Sequence, residues 1–492
     1  MTSSGRPDPF RPGVPAGPEG SALQLTAEWV AASMSGAIVA GDRAQAFTGV
    51  SIDTRTLKTG ELYVAIRGER FDGADFAEAA IVAGASGAVL PPGRAETLAR
   101  TEKGVRPLFV VIEVEDTTPA LQALARAVRV ESGAKVVAIT GSAGKTTTKE
   151  ITAEFLESRY RVIRNRGNFN NHIGLPLSLI DLRQRPEIAV VELGMNHAGE
   201  IGTLVRVAEP DVRVWTNVGE AHLGFFSSLD AIADAKAEIF EGATPATVLV
   251  ANADDERITA RIPRFAGRTV TFGIEHGADV RAAEVVDRGI DGMAARVETP
   301  RGDIEITTPL VGRGNLANLL AAAAVALELD VPLDAIAERA QRLRAAAHRG
   351  EVVRLGRGVT IVDDSYNANP TATRQALDVL GGPHHAGRRV AVLGEMLELG
   401  DRAVDLHEDV GRAAARAHVD LLIAVGGGAA AALAEAAVAA GMPRAHVRHF
   451  ATSDEAAGAA LREVRSGDLV LVKGSRGVRT DVVVDRLKAE LG

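Results

Sequence analysis

The chain has 492 residues, which exceeds what one hydrophobic core usually spans, so several domains are expected. Hydrophobic residues make up 46% and charged residues 24%, an ordinary globular composition, and no apolar run is long enough to cross a bilayer. The net charge of −9 argues against broad attraction to nucleic acid, and the lack of cysteine excludes disulfides and thiolate metal sites. We expect a soluble, cytoplasmic protein that acts on small molecules, with any metal a hard cation such as Mg²⁺.

The N-terminal quarter of the sequence divides into a tail and a folded part. Residues 1–22 are rich in Pro, Gly and Ser and lack the apolar core of a secretory signal, which predicts a disordered tail. Residues 23–133 contain the short apolar stretches ELYVAI, ASGAVL and PLFVVI between Gly and Asp turns. With one alanine-rich helical stretch, this pattern predicts a small α/β domain.

Strand-like and helical patterns alternate through the rest of the chain. Residues 134–347 contain VVAIT, EIAVVEL, VRVWTNV and TVLVA, and residues 348–492 repeat the theme with RRVAVLG, DLLIAVG and DLVLVKG. Such alternation predicts parallel sheets with helices on both faces. The predicted fold class is therefore α/β with three domains: the small N-terminal one, a central P-loop-type parallel sheet domain and a C-terminal Rossmann-like doubly wound domain.

The stretch TGSAGKTTT, residues 140–148, has the pattern of a nucleotide-phosphate-binding loop. A strand, a glycine-bearing turn and a helix starting at Lys145 would place backbone N–H groups around a polyphosphate. Lys145 adds positive charge, and Thr146 offers a hydroxyl to Mg²⁺. Ile139 replaces the usual leading glycine, and a chance Gly-Lys-Thr is the alternative, but the order of elements favours ATP binding. The predicted loop residues are Gly141, Ser142, Ala143, Gly144, Lys145, Thr146 and Thr147.

Two more polar residues follow strand patterns of the central domain. EIAVVEL ends near Glu192, and TNVGEAH puts His222 just past another strand. Open α/β sheets gather ligand groups at the carboxyl ends of their strands, where a carboxylate can hold the metal. Alone, Glu192 could simply close its strand and His222 could be structural, but together with Thr146 they predict a metal site.

Lys236 falls inside the apolar face of the helix SLDAIADAKAEIF, four residues after Ile232. A lysine in that position must either extend to the surface along its apolar stem or serve a purpose. The first is the default expectation.

Two loops carry more polar side chains than ordinary connections need. NRGNFNNHIGLP, residues 165–176, holds four asparagines and a histidine, and IVDDSYNANP, residues 361–370, holds two carboxylates, a tyrosine and two asparagines. Turn chemistry and helix capping are the alternatives, but the density of hydrogen-bonding groups suits substrate-facing loops.

Taken together, the motifs resemble those of the Mur ligases over nearly the whole chain after the tail. The matching stretches are SIDTRTLKTGELYVAIRGERFDGADF, TGSAGKTTTKE, NFNNHIGLPLSLI, ELGMNHAGEI, TNVGEAHL, AKAEIF, DDSYNANP, VLGEMLELG and LVKGSRG. The resemblance implies an ATP-dependent amide ligase of cytoplasmic peptidoglycan precursor synthesis. It would join D-alanyl-D-alanine to UDP-N-acetylmuramoyl-tripeptide through an acyl phosphate, with two Mg²⁺ ions, as a monomer.

The resemblance also implies roles for individual residues. The implied catalytic residues are Lys145, Lys236, His222 and Arg349, and the implied metal ligands are Thr146, Glu192, His222 and Lys236, the lysine being carbamylated in this family. ATP would further contact Asn315, Asn318, Arg349 and Asp364. The implied substrate-binding residues are Asp53, Thr54, Arg55, Asp72 and Gly73 for the UDP-sugar, with Asn168, Asn171, Tyr366, Asn367 and Asn369.

The sequence departs from the family pattern at Gly314, where a histidine is usual, so a contact from that side chain must be lost or replaced. Three alternatives stay open: a mechanical or regulatory NTPase, which would turn over without an amine; a catalytically silent scaffold; and folylpolyglutamate synthetase. The last lacks the DTR and DG stretches of the first domain. The sequence does not indicate whether the tripeptide ends in lysine or diaminopimelate.

Overall fold

The structure is a computed structural model, and it describes residues 22–102, 109–165, 167–382 and 387–492. The predicted tail, apart from residue 22, lies outside the described residues. No helix among the described residues is long and apolar enough to span a bilayer. Three sheets follow one another along the chain, and their strands confirm the α/β fold predicted from the sequence.

The first sheet is small and is flanked by short helices. Its strands have the order β2-β7-β6-β5-β4, with β2 antiparallel and the others parallel, and β1 pairs with β3 outside it. The elements are β1 Leu25–Thr26, α1 Ala27–Ser33, β2 Ala37–Ala40, β3 Ala46–Phe47, β4 Val50–Ser51, β5 Leu62–Val64, α2 Ala77–Val82, β6 Gly87–Leu90, α3 Arg94–Glu102, β7 Val110–Glu113 and α4 Thr117–Ser132.

The second sheet has nine strands in the order β16-β15-β14-β13-β12-β11-β8-β10-β9. Strands β8 to β14 run parallel, and β15 and β16 extend one edge as antiparallel strands. The elements are β8 Lys135–Thr140, α5 Lys145–Leu156, β9 Val162–Arg164, α6 Gly174–Ile180, β10 Ile188–Glu192, α7 Glu200–Ala208, β11 Val212–Trp215, α8 Leu229–Ala237, β12 Val248–Asn252, α9 Glu256–Thr259, β13 Arg268–Gly273, β14 Val280–Asp287, β15 Met293–Glu298, β16 Ile304–Thr308, α10 Arg313–Glu328 and α11 Leu333–Arg342.

The third sheet has the order β17-β18-β22-β19-β20-β21, and all of its neighbours are parallel except β17. Apolar clusters cover both faces, as a doubly wound unit requires. The elements are β17 Glu351–Arg354, β18 Thr360–Asp364, α12 Pro370–Leu380, β19 Arg389–Gly394, α13 Ala403–Arg416, β20 Leu421–Val425, α14 Gly428–Ala439, β21 Val447–Phe450, α15 Ser453–Glu463, β22 Leu469–Lys473 and α16 Asp481–Leu491.

The order of the central strands fixes where a ligand can lie. Strand β8 has β10 on one side and β11 on the other, so the connections that leave these strands diverge at their carboxyl ends. In open α/β sheets such a point is where a crevice forms. Strands β8 and β10 are buried on both faces, which explains their runs of Val, Ile and Ala. Strand β11 is also buried, and its Arg213 donates to the backbone carbonyl of Glu241.

Two helices close the packing around this crevice. Helix α10 is alanine-rich and buried over most of its length, and its small side chains let it lie directly against α5. On the opposite face, α4 packs on α6 and α7, and one apolar cluster runs from the first sheet through α4 to the central sheet. The helix after the phosphate loop is therefore held between the sheet and α10.

Candidate active site

The phosphate loop has the predicted order of strand, loop and helix, with β8 ending at Thr140 and α5 beginning at Lys145. Both of its glycines are required by their surroundings. A Cβ on Gly141, whose φ is 153°, would lie 1.9 Å from the Thr216 hydroxyl, and one on Gly144 would lie 2.2 Å from Asn318 Oδ1. Gly144 also has a φ of 79°, which favours glycine. The loop thus packs against β11 and α10 with no room for larger residues.

Glu192 lies at the end of β10 beside the phosphate loop, because β10 pairs with β8. The Thr146 hydroxyl donates to Glu192 Oε2 at 2.7 Å, and Asn170 Nδ2 donates to Oε1 at 2.8 Å. Glu192 is 4% exposed. A buried carboxylate beside a hydroxyl is a donor pair that suits Mg²⁺, which takes its other ligands from phosphate and water.

Lys145, the first residue of α5, lies beside Glu192 and the phosphate loop. Its ammonium group donates to the Gly141 carbonyl at 2.8 Å. Desolvation lowers the pKa of Lys145, while the nearby Glu192 carboxylate opposes that shift and Arg349 adds to it. Two cations near one another without a bound anion are destabilising, so the arrangement suits a polyphosphate.

A buried lysine that the sequence analysis did not single out connects α5 to the asparagine loop. Lys149 is 1% exposed, and its Nζ donates to the Asn165 carbonyl at 2.9 Å. The side chain of Asn165 in turn accepts from the Glu192 N–H at 3.1 Å. Lys149 and Asn165 therefore fix the backbone that carries Glu192.

His222 lies in a loop after β11, in a left-handed backbone conformation with φ of 62°. Its Nδ1 is 2.7 Å from Oε2 of Glu398, which comes from the loop after β19 in the third sheet. Burial, followed by the charges of Lys145 and Lys236, lowers the pKa of His222. Since Glu398 engages Nδ1, the other ring nitrogen is left for a ligand.

Lys236 does not extend to the surface, so the default expectation for this side chain was wrong. It is 2% exposed, and burial together with the charge of Lys145 lowers its pKa well below the usual value. No hydrogen bond or ion pair engages its ammonium group in the part of the chain that the structure describes. The apolar stripe of α8 packs in the core, and it takes the lysine inward with it.

No group of three or more His, Asp or Glu side chains that could hold a metal occurs among the described residues. A cation in the cavity would thus rely on the Thr146 hydroxyl, isolated carboxylates such as Glu192, and oxygens supplied by substrates. That is the usual situation of Mg²⁺ bound with a nucleotide.

The two asparagines predicted to contact ATP lie at the start of α10 and contact each other. Asn318 Nδ2 donates to Asn315 Oδ1 at 3.3 Å, and Asn318 Oδ1 accepts from the Thr148 hydroxyl at 3.2 Å. Beside them, a Cβ on Gly314 would lie 3.0 Å from Gln375 Oε1. The space next to Gly314 is therefore occupied by a side chain of α12. Helix α12 belongs to the part of the chain built on the third sheet; we call the parts built on the first, second and third sheets the first, central and third units.

The third unit contributes a second set of charges to the same cavity. Asp364, at the end of β18, pairs with Lys473 at 2.5 Å because the strand register places the two residues opposite each other on β18 and β22. Burial raises the pKa of Asp364, whereas Lys473 and Arg349 act to lower it. The Arg349 guanidinium lies over the Tyr366 ring, 4.1 Å from its centroid.

The asparagines of the two predicted substrate-facing loops make structural contacts as well as lining the cavity. Asn369 caps α12 by accepting from the Ala372 N–H at 2.8 Å, and Asn171, which precedes α6, accepts from the Gly174 N–H at 2.8 Å. Both asparagines nevertheless line the cavity, as do Asn168 and Asn367.

All these elements surround one cavity of about 530 Å³. Its lining includes the predicted residues Ser142, Ala143, Gly144, Lys145, Thr146, Thr147, Asn168, Asn171, Glu192, His222, Lys236, Asn315, Asn318, Arg349, Asp364, Tyr366, Asn367 and Asn369. Gly141 does not line the cavity and instead packs against Thr216.

The predicted residues of the first unit lie outside this cavity and form a group of their own around Tyr63. The Tyr63 hydroxyl donates to the Gly73 carbonyl at 2.9 Å. Burial, with the charges of Asp53 and Asp72, raises the pKa of Tyr63 to about 12. Asp53 also pairs with Arg55, which holds the pKa of the carboxyl at about 2. The DTR and DG stretches therefore meet in space, as a common binding site requires.

Several residues of the cavity or its supports were not predicted individually from the sequence: Lys149, Asn165, Asn170, Glu398, Lys473 and Arg476. Of these, Glu398, Lys473 and Arg476 lie in the stretches VLGEMLELG and LVKGSRG, which match the family motifs but carried no predicted role. Pattern alone did not show which asparagine of the NFNN run reaches Glu192, because that depends on how the loop folds.

Comparison with known proteins agrees with this arrangement. Three family models match the chain: Mur ligase family, catalytic domain, over residues 46–152; Mur ligase middle domain over residues 139–326; and Mur ligase, glutamate ligase domain, over residues 348–476. A UDP-N-acetylmuramoyl-tripeptide–D-alanyl-D-alanine ligase of Bacillus subtilis is 34% identical over 439 residues, which cover 89% of this chain and 93% of that one.

The chain belongs to the Mur ligase family.

The fold of this Mur ligase is similar to that of two solved MurF structures. MurF from Acinetobacter baumannii superposes with a TM-score of 0.84 at 30% identity, covering 96% of this chain and all of that one. The MurF ligase from Thermotoga maritima, solved in complex with ADP, gives 0.77 at 29% identity, covering 90% of this chain and 97% of that one. The fold and the predicted family are thus confirmed for this Mur ligase.

Proposed function

We infer that this Mur ligase is the ATP-dependent ligase that joins D-alanyl-D-alanine to UDP-N-acetylmuramoyl-tripeptide, giving the UDP-linked pentapeptide, ADP and phosphate. The observation that carries this assignment is the meeting of Lys145, Glu192 and Arg349 in one cavity, in a chain at least 30% identical to ligases of that name over most of its length. The regulatory NTPase and the silent scaffold lose support, since the phosphate loop, Glu192 and Lys236 are all in place around that cavity.

A carboxylate is a poor acyl donor, so the reaction needs ATP to convert the tripeptide carboxylate into an acyl phosphate. The amine of the dipeptide then attacks the acyl carbon, and phosphate leaves from the tetrahedral species. Lys145 and Arg349 approach the transferred phosphoryl group from the central and third units and disperse its charge, which is the main catalytic task in phosphoryl transfer. No covalent bond to the protein is needed.

The other residues of the cavity support binding in this scheme. Asn315 and Asn318 would contact the adenine, Asp364 would contact the ribose, and Thr146 and Glu192 would hold one Mg²⁺. His222 and Lys236 would hold a second ion, for which Lys236 must become an anion by carbamylation. Bound Mg²⁺ neutralises phosphate charge. Lys236 is buried, its ammonium group has no partner among the described residues, and burial lowers its pKa; these features support the carbamate, because only the neutral amine adds to CO₂.

We assign residues 23–133 to UDP-sugar binding, with Asp53, Thr54, Arg55, Asp72 and Gly73 as its contacts. Residues 134–347 form the ATP-binding domain, and residues 348–492 form the domain that brings Arg349 and the Tyr366 loop. Asn168, Asn171, Tyr366, Asn367 and Asn369 then face the peptide substrates. We also propose that the protein acts as a monomer in the cytoplasm.

A coupled phosphate-release assay tests the function. With ATP, Mg²⁺ and UDP-N-acetylmuramoyl-tripeptide present, we expect steady release of phosphate when D-alanyl-D-alanine is added and little without it. Other amino acids and dipeptides serve as controls for the acceptor. Release that is independent of any amine would favour an NTPase, and turnover with a folate and glutamate but not with the UDP-tripeptide and the dipeptide would favour folylpolyglutamate synthesis.

A further inference from the structure

The loop after β22 carries Arg476, which lines the cavity, and this loop is hydrogen-bonded to two neighbouring loops. Ser475 is 3% exposed, and its hydroxyl accepts from the Leu397 N–H at 2.9 Å and donates to the Ala368 carbonyl at 3.3 Å. Lys473 Nζ donates to the Asn367 carbonyl at 3.0 Å. The backbone on the N-terminal side of Arg476 is therefore tied to the Tyr366 loop and to the loop after β19.

The cations that line the cavity are Lys145, Lys236, Arg349, Lys473 and Arg476. Three of them lie against other parts of the site: Lys145 against the phosphate loop, Lys236 in the core, and Lys473 in its ion pair with Asp364. Arg349 lies close enough to Lys145 and Asp364 to affect the pKa of both. In the proposed function Lys145 and Arg349 act on ATP and Lys236 holds an ion, while Lys473 is engaged by its ion pair with Asp364.

Arg476 differs from the other four cations. It is exposed, and its guanidinium lies 5.6 Å from the centroid of the Tyr366 ring. Among residues 22–102, 109–165, 167–382 and 387–492, no hydrogen bond or ion pair engages that guanidinium. All five of its N–H donors are thus available to an anion that enters the cavity.

The two arginines on Tyr366 lie close enough together for one small substrate to contact both. Arg349 Cζ lies 4.1 Å and Arg476 Cζ lies 5.6 Å from the same ring centroid, so the two carbons are at most 9.7 Å apart, the sum of those distances. An extended dipeptide spans about 7 Å. A dipeptide whose amine lies at the Arg349 side of the cavity is therefore long enough for its carboxylate to contact Arg476.

We propose that Arg476, stacked near Tyr366, binds the terminal carboxylate of the incoming D-alanyl-D-alanine and thereby selects a dipeptide acid as the amine substrate. This assignment rests on the proposed ligase function. A guanidinium binds a carboxylate through two parallel hydrogen bonds, and the Tyr366 ring limits the positions that the guanidinium can take. The residue holds the acceptor and takes no part in proton or phosphoryl transfer.

The test compares D-alanyl-D-alanine with its C-terminal amide in the full-length enzyme and in Arg476→Gln. We expect the wild type to prefer the acid, and Arg476→Gln to raise KM for the acid about 10- to 100-fold while leaving KM for ATP and for the UDP-tripeptide near the wild-type values. The variant should also lose the preference for acid over amide. Arg479→Gln, an equal charge change at an exposed residue of the same segment that does not line the cavity, is the matched control.

Several outcomes separate the inference from the function on which it rests. If Arg476→Gln keeps the wild-type preference for the acid, or raises KM for ATP or the UDP-tripeptide instead, the assignment of Arg476 is wrong while the ligase function stands. If the wild type uses acid and amide equally, the assignment is also wrong. If the wild type releases no phosphate with D-alanyl-D-alanine at all, the proposed function itself fails.

Discussion

Replacing Lys145 by alanine is expected to lower kcat by about 10³-fold or more, because the γ-phosphoryl group loses a cation that compensates its charge during transfer. The ammonium group makes one hydrogen bond to its own loop, to the Gly141 carbonyl, so the fold should lose little with it. Phosphate release in the presence of both substrates gives the activity, and thermal unfolding gives the stability.

Arg301→Ala is a matched control for Lys145→Ala, because Arg301 is an exposed cation of the central unit that pairs with Asp330 away from the cavity. It should leave kcat unchanged. Retained turnover in Lys145→Ala, with an unfolding temperature like that of the wild type, would refute the assignment of the phosphate loop.

Replacing Lys236 by alanine is expected to reduce turnover by about 10²-fold or more, with partial recovery when formate or acetate is added. Burial and the charge of Lys145 lower the pKa of Lys236, so its neutral amine is more abundant near neutral pH than that of an exposed lysine. The neutral amine adds to CO₂ and becomes an anion, and a small carboxylate can occupy the space that the variant leaves. Turnover measured against added acid checks the recovery.

The same acids added to Lys145→Ala should restore nothing, since that variant lacks a cation. Full activity in Lys236→Ala would contradict the role of this residue. A low activity that no small carboxylate improves, together with wild-type activity that is insensitive to removal of CO₂, would rule out the carbamate.

The phosphate loop could be predicted from sequence because its signature is local. A strand, a glycine turn and a helix follow one another over a few residues, and the glycines meet Thr216 and Asn318 as close packing requires. Glu192 and His222 could be predicted in outline, because the carboxyl ends of neighbouring parallel strands meet at one edge of the sheet.

Contacts between distant segments could not be predicted in this way. The side chain of Glu398 reaches His222 from the third sheet, and Lys473 reaches Asp364 through the register of β18 and β22. Both contacts depend on how segments far apart in the sequence pack together, and a short sequence pattern carries no information about that packing. The inward position of Lys236 follows equally from the packing of α8, although its place within an apolar stripe was visible.

The cavity lies where two units meet, and the loop that carries His222 also joins them. Glu220 in this loop pairs with Arg374 of α12 at 2.9 Å, and the Gly224 N–H donates to the Glu398 carbonyl at 2.8 Å. The partly buried Leu223 packs against the apolar cluster of the third unit. The position of His222 therefore depends on the third unit as well as on its own sheet.

The central claim is that this cavity activates a carboxylate by forming an acyl phosphate, and transfer of oxygen tests it most directly. UDP-N-acetylmuramoyl-tripeptide labelled with ¹⁸O in its terminal carboxylate is incubated with ATP and D-alanyl-D-alanine, and the phosphate released is examined by mass spectrometry. We predict one ¹⁸O atom in each phosphate, because the carboxylate oxygen that attacks ATP leaves with the phosphoryl group. Unlabelled phosphate released along with the amide product would contradict the account.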